Sequence, residues 1–472
     1  MVSVADGSPT KEFFISMLTR DIELNDAILD LLDNCLDGVV RIKGSENKRD
    51  DLQYYSGYEA HIVITSTSFS IKDNCGGIPR KIAEENAFRM GSTSTTNTGS
   101  ATVGIYGIGM KRAIFKIGKT ANVITKHNEK VYRVDIEKNW ADKNEWSFPI
   151  SDLSETEMDL EGTHISITDL NEGIKIQWDS ESELNNFVDH LRADIKACYS
   201  LIIEKGFHIT INGLEIDALP TQLLVSKDNE FKPYIYQCEY GDVFVKVIIG
   251  FYAPLISDEE IDDENESKRS SGDAGYTIIC NDRVVLYNDK SHLTGWGVAG
   301  IPRYHTQFIG IKGFVIFESN NPANLPMTTT KRGIDLSSPI YSDVKDRMME
   351  GLRLFIGYTN SWKGRLQQEK QYSKNAESLP YTKILDNSSK IQDTYGIKLS
   401  KTRTTPGVLF KPKLPEPPNE KKYINIRYTK PVDEIDILKR YFYNELSDEA
   451  KPSTVGEKSF DKVLEIARGT KK

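Results

Sequence analysis

The chain has 472 residues and a mass of 53.4 kDa, enough for two or three domains with cores of their own. With 38% hydrophobic and 27% charged residues it is neither wholly disordered nor fibrous, and no apolar run nears the ~20 residues of a bilayer span. The net charge of −9 gives no support for nucleic-acid binding by the whole chain, yet residues 371–472 hold 20 Lys and Arg against 14 Asp and Glu, so the tail is basic.

In chain order, residues 11–40 read as helix. Residues 61–65 and 69–73 alternate as a short hairpin, and 121–126, 131–136 and 163–168 read as strands. Ser180 and Glu183 form a capping box that opens a long amphipathic helix to about Lys205. Asn212–Gly213 between two apolar runs marks a hairpin. Strands follow at 234–239, 243–251, 276–280, 283–287 and 311–317, then a helix at 341–357. Asp258–Glu266 reads as a solvated acidic loop. Residues 385–421, rich in Ser, Thr, Lys and Pro, read as an extended linker. Short helical patterns close the chain at Val432–Leu446 and Phe460–Ala467. The expected domains are 1–175, 176–370, a linker at 371–421 and a small helical module at 422–472.

Five scattered cysteines, with no CxxC and no Cys/His cluster, point to a reducing compartment, and the N-terminus has no basic-then-apolar leader; the expectation is a cytoplasmic protein.

Four segments carry chemistry. In Asp26–Gly38, Ile28, Leu32, Cys35 and Val39 share one helical face, and Asp30, Asn34 and Asp37 stack on another. That polar face is either simply solvated or holds a hydrated Mg2+ near phosphate. Asp73, at a strand end before Gly76–Gly77, is either an Asx-turn residue or an acceptor for a base amino group, with Gly77 admitting the ligand to the backbone. Gly104, Tyr106, Gly107, Ile108, Gly109, Met110 and Lys111 form a glycine loop entering a helix whose first turn holds Lys111 and Arg112. Two cations there oppose the helix dipole unless an anion is present, so the loop is either flexible or a phosphate cradle. It is neither a Walker A loop nor a GxGxxG fingerprint. Residues 91–100, small and polar, suit a lid. The fourth segment, Glu161–Leu170, contains Thr163 in an alternating strand.

Together, in this order and spacing, they resemble the GHKL superfamily (gyrase B, heat-shock chaperones, histidine kinases, MutL), over residues 11–170. Gly104–Lys111 and Ile117–Gly118–Lys119 are nearest in wording to MORC- and MutL-like ATP-binding proteins. The resemblance implies a Bergerat-type α/β sandwich, then an α+β transducer domain of ribosomal-protein-like type. It implies ATP and Mg2+ as ligands. Asn34 would coordinate the metal, Asp73 would accept the adenine amino group with support from Thr163, and Gly77 would line the adenine pocket. The Gly104–Met110 loop, Tyr106 and Ile108 included, would bind phosphates with Lys111 nearby, and Asp37 would brace the helix or the base-side waters. Lys331, in Leu325–Asp335, would be the transducer lysine that reaches the γ-phosphate, and Asn281–Leu286 also resembles that domain. Asp30 stands where the family has the Glu that polarises the attacking water, so hydrolysis is expected to be slow. Cys75 stands where the family has the first Gly of DxGxG.

The implied activity is Mg2+-dependent ATP binding with slow hydrolysis that closes a homodimer, with residues 1–20 as an exchanging strap. The alternative is a nucleotide sensor with negligible hydrolysis. A kinase that phosphorylates its own histidine is disfavoured, because the first histidine, His61, follows the Asn34 helix and no histidine precedes Asp or Glu. A client-binding chaperone is disfavoured by the short tail. DNA or a protein partner is expected by analogy, with Lys421, Lys422, Arg427 and Lys430 between and beside Tyr423 and Tyr428 as contacts; a plain soluble tail is the other reading. Stand-alone relatives fit bacterial defence or stress response.

Overall fold

The computed structural model describes residues 10–45, 48, 51–89, 107–143, 145–256, 271–386, 390–402, 407–418, 426–447 and 450–469. The lid at 91–100, Gly104, Tyr106, the acidic loop at 258–266, Lys421, Lys422 and Tyr423 lie outside these residues, as do the first nine residues of the expected strap. The chain divides into Met1–Pro417 and Pro418–Lys472.

The larger unit has two lobes. In the first, the expected 11–40 helix is broken in two: α1 (Lys11–Arg20) ends at Asp21, and α2 (Leu24–Lys43) starts after Glu23. The first-lobe strands are β1 (Glu59–Ile64), β2 (Phe69–Asp73), β3 (Gly118–His127), β4 (Lys130–Ile136), β5 (Ile150–Leu153), β6 (Gly162–Leu170), β7 (His208–Ile211) and β8 (Leu214–Glu215). Between β2 and β3 lies α3 (Gly109–Ile117), and between β6 and β7 lie α4 (Glu172–Asp179), α5 (Glu181–Cys198) and α6 (Ser200–Glu204). The eight strands form one sheet, ordered β5-β4-β3-β6-β2-β1-β7-β8. Its pairs are antiparallel except β1 with β7, where Glu59 faces His208 and Ile62 faces Ile211. Alternate strand residues, such as Ala60, Ile62 and Ile64, are buried together with Ile28, Leu32, Val39, Ala113, Ile114, Leu191 and Ile195 of the helices.

The β1–β7 pairing moves the expected boundary at residue 175. Residues 176–216 belong to the first lobe, because Trp178, Phe187, Tyr199, Ile202, Ile209 and Ile216 sit in its core. The Ser180 cap is present, its Oγ accepting from Glu183 N at 3.4 Å, but the helix stops at Tyr199 before α6 begins. The β7–β8 turn has φ of +49° at Asn212 and +78° at Gly213, as a two-residue hairpin demands.

The second lobe contains β9 (Gln222–Val225), β10 (Tyr234–Tyr240), β11 (Val243–Phe251), β12 (Gly275–Cys280), β13 (Arg283–Asp289), β14 (Ile311–Glu318), α7 (Pro339–Ser361), β15 (Glu377–Pro380), β16 (Ser400–Lys401) and β17 (Val408–Phe410). Its main sheet runs β13-β12-β14-β11-β10-β17-β16, with β12 and β14 parallel. Both faces are covered. Tyr234, Val247, Ile249 and Val315 meet Met348, Leu352 and Phe355 of α7, while Ile235, Ile248, Phe314 and Ile316 meet Tyr381, Ile384 and Leu385. That explains why these strands read as nearly continuous apolar runs.

The expected linker is a correction. β15 pairs with β9 and β17 with β10, Tyr381 stacks on Phe314 at 4.0 Å, and Trp362 Nε1 donates to Pro415 O at 3.1 Å. A polar, Pro-containing stretch hides few but large anchors, and it ends the second lobe rather than leaving it. The smaller unit, by itself, carries α8 (Val432–Tyr441) and α9 (Pro452–Ala467), with Phe442 and Val455 buried. Among the described residues no helix is long and apolar enough to cross a membrane.

Candidate functional site

The site is built on α2. Its apolar stripe (Ile28, Leu32, Cys35, Leu36 and Val39) is buried, which fixes the rotation of the helix and sets the polar residues on the remaining surface. Asn34 is exposed, and its amide makes no hydrogen bond to the described residues. Asp37 is half-buried one turn on, where its charge is felt by Arg41. Asp30 and Asp33 are not solvated: both are buried, Asp33 to 1% exposure.

Asp30 is held from two directions. One oxygen pairs with the Arg112 guanidinium, and the other lies 3.2 Å from Lys331 Nζ. Arg112 stands in the first turn of α3, so the anion that offsets the cations there is an internal carboxylate. The start of α3 lies close over α2: a Cβ on Gly109 would stand 3.2 Å from Asp30 Cβ. Gly107 has φ +62°, and Ile108 N-caps the helix. Met110 turns into the core, so only its backbone faces the loop.

Lys111 departs from expectation. It is fully buried; Nζ donates to Ala87 O and Arg89 O, each at 2.8 Å, and to Gly107 O. Burial lowers its pKa to about 8. The ammonium ties Ala87 and Arg89 to Gly107 instead of presenting free charge to phosphate.

Lys331 crosses from the second lobe. Its Nζ lies 2.7 Å from Asp33 Oδ2 in addition to its contact with Asp30. The loop that carries it is a tight turn, with Thr328 N bonded to Gly333 O at 3.0 Å and Lys331 itself at φ +57°. A non-glycine residue in that region is strained and is retained where its side chain matters. Burial alone would raise the Asp33 carboxyl, but Lys331 and Arg283 outweigh it and hold it below the usual carboxylate range. Burial would lower Lys331, but Asp33 and Asp30 overcome this and raise it.

At the other end of α2 lies Asp73. Its Oδ1 accepts from Cys75 N at 2.8 Å and from Thr163 N at 3.3 Å, and Cys35 Sγ lies 3.5 Å from Oδ2. Burial dominates and raises its pKa to about 6. Thr163 thus touches Asp73 through its backbone, while its hydroxyl lies 3.3 Å from Thr125 Oγ1. Thr125 also donates to Gly162 O at 3.0 Å and accepts from Ile78 N at 2.8 Å, tying the Gly76–Gly77 turn to β3 and β6. Gly77 has φ +62°, and a Cβ there would fall 2.0 Å from Lys126 O. The glycine is required by the approach of β3, whatever the ligand.

Arg112, Asp33, Arg283, Tyr199, Thr125 and Cys35 were not singled out by the sequence as site residues. Arg112 was visible as a misplaced first-turn cation. The others lie on buried faces or far along the chain and had no local signal.

Along α2 thus lie the half-buried carboxylate of Asp73, the exposed amide of Asn34, and the α3 N-terminus, where Arg112 and Lys331 meet Asp30. Residues 22–172 match the family described as histidine kinase-, DNA gyrase B-, and HSP90-like ATPase, a match that supports a GHKL-type ATP-binding domain over this part of the chain. No curated protein matches the chain.

Proposed function

We propose that the protein binds ATP with Mg2+, hydrolyses it slowly, and uses the cycle to close a homodimer. The observation that carries this reading is Lys331, a second-lobe cation seated between two α2 carboxylates beside the α3 N-terminus. Asp73 accepts the adenine amino group, and the Thr125–Thr163 pair keeps its strand-end geometry. Asn34 fits Mg2+: among the described residues its amide oxygen is uncommitted, and it is a ligand type this hard cation accepts beside phosphate. Bound there, Mg2+ would neutralise charge on the β- and γ-phosphates.

Lys331 then leaves Asp30 and Asp33 for the γ-phosphate, where its charge favours the transition state. That move frees one Asp30 oxygen. Water attacks γ-phosphorus, its proton passes to Asp30, and the bond to the β-phosphate oxygen breaks, giving ADP and phosphate. Gly107 and Gly109 shape the phosphate turn. The dimer contact is supported by α1, which packs on α3 and exposes Phe13 and Met17 one turn apart. The basic C-terminal region, residues 371–472 with Arg427 and Lys430, carries the output to DNA or a protein partner.

A second reading, a nucleotide sensor with negligible turnover, is favoured by one feature: both Asp30 oxygens face cations. Calorimetric titration of the full chain with a non-hydrolysable ATP analogue tests the binding step. Mg2+ should strengthen binding, and Asn34→Ala should remove that enhancement. Absence of binding to wild type overturns both readings.

A further inference from the structure

The β12–β13 hairpin of the second lobe drives its tip into the first. Its turn residues Asn281 and Asp282 have φ of +48° and +72°, the geometry in which glycine is favoured at the second position. Asp282 holds a strained conformation there. Its fully buried carboxylate receives Lys205 Nζ at 2.8 Å and Tyr55 OH at 3.0 Å, with Lys48 Nζ at 3.6 Å. All three partners belong to the first lobe.

The next residue, Arg283, is 2% exposed and reaches α2 itself. Its Nε donates to Asp33 Oδ1 at 3.1 Å, and its guanidinium lies 4.4 Å above the Tyr199 ring. Tyr199 OH is 2.7 Å from the same Asp33 oxygen. Asp33 is thereby divided: Oδ1 goes to Arg283 and Tyr199, and Oδ2 to Lys331. A carboxylate gripped on one side offers its second oxygen in a fixed direction.

We propose that Arg283 is a positioning residue for ATP hydrolysis: it locks Asp33 so that Oδ2 sets the place from which Lys331 is delivered. This rests on the ATPase reading given above. It also makes the hairpin a two-pronged strut, in which Asp282 fastens the lobes and Arg283 senses α2. Lysine cannot replace Arg283, because the contact needs a planar group that donates from Nε while stacking on an aromatic ring.

The test compares three full-length variants for ATP-analogue affinity, kcat, KM and thermal stability. Arg283→Lys keeps the charge; it should bind the analogue within about threefold of wild type while kcat falls tenfold or more. Tyr199→Phe keeps the ring and removes one bond to Asp33; it should show the same split at about threefold, and it serves if Arg283→Lys does not fold. Lys205→Met loosens the other prong; it should lower stability and leave kcat within about twofold. Wild-type kcat in folded Arg283→Lys, or in Tyr199→Phe if the first does not fold, overturns the assignment. Losses of kcat that merely follow stability across the three variants overturn it too. A wild-type protein that does not bind or hydrolyse ATP overturns the ATPase reading beneath it, a different result from an active wild type with an indifferent Arg283.

Discussion

Replacing Lys331 with Met tests the inter-lobe cation while keeping most of its length and apolar stem. The substitution removes contacts of 2.7 Å to Asp33 and 3.2 Å to Asp30. Stripping a buried carboxylate of its only partner costs ~3–5 kcal/mol. Neither carboxylate is stripped here, since Asp33 keeps Arg283 and Tyr199, and Asp30 keeps Arg112. The loss of stability should therefore stay near ~1–3 kcal/mol, close to that of an unmade buried hydrogen bond. Losing one preorganised charge at the transition state costs ~2.7–4 kcal/mol, or roughly 10²–10³ in kcat. ATP affinity should change less than about threefold, because the proposal places adenine at Asp73 and the metal at Asn34. Denaturant unfolding, calorimetry and single-turnover hydrolysis read these three quantities separately. If Lys331→Met hydrolyses ATP like an active wild type, or loses affinity a hundredfold with kcat intact, Lys331 does not act on the γ-phosphate.

Asp73→Asn should weaken ATP binding roughly tenfold to a hundredfold, since an amide presents a donor where the adenine amino group needs an acceptor (~1–3 kcal/mol). Its pH behaviour has a definite sign. With the folded carboxyl raised to about 6 against an ordinary value of 3.8, the free protein gains stability from this group as pH falls from about 6 towards 4. Adenine favours the charged form, so ATP affinity should fall with pH below about 6, with proton release on binding; Asp73→Asn should lose that release in calorimetry run in buffers of different ionisation heat. Asp30→Ala should bind ATP, lose turnover and accumulate the closed dimer in sedimentation experiments. Asp30→Glu should keep or raise the rate, because its extra ~1.5 Å lets it reach water without surrendering Arg112; equal rates in wild type and Asp30→Ala would remove Asp30 as the base.

Where local pattern decides structure, the sequence was legible. The strands of both lobes alternate or run apolar as their burial requires, and Asn212–Gly213 and Ser180 announced their turn and cap. Asp73, Gly77, Asn34 and Lys331 were named through the resemblance to the GHKL superfamily, and the fold brings Lys331 to α2. What stayed hidden depends on distant partners. The break at Asp21–Glu23 interrupts a favourable helical pattern. Residues 176–216 join the first lobe through β7 finding β1 across more than a hundred residues. The supposed linker is fastened by strand pairing, which polar composition does not reveal. Lys111 looked like a phosphate cation because sequence shows its charge but not the three carbonyls that consume its ammonium. Arg283 and Tyr199 gave no signal, since their meaning lies in one shared oxygen of Asp33.

The most direct test is single-turnover hydrolysis by the full wild-type chain, with enzyme in excess over γ-labelled ATP, in Mg2+ and in chelator. The account predicts slow release of labelled phosphate in Mg2+ and none in chelator. Intact ATP after prolonged incubation with saturated protein in Mg2+ would contradict it and leave the protein a nucleotide sensor.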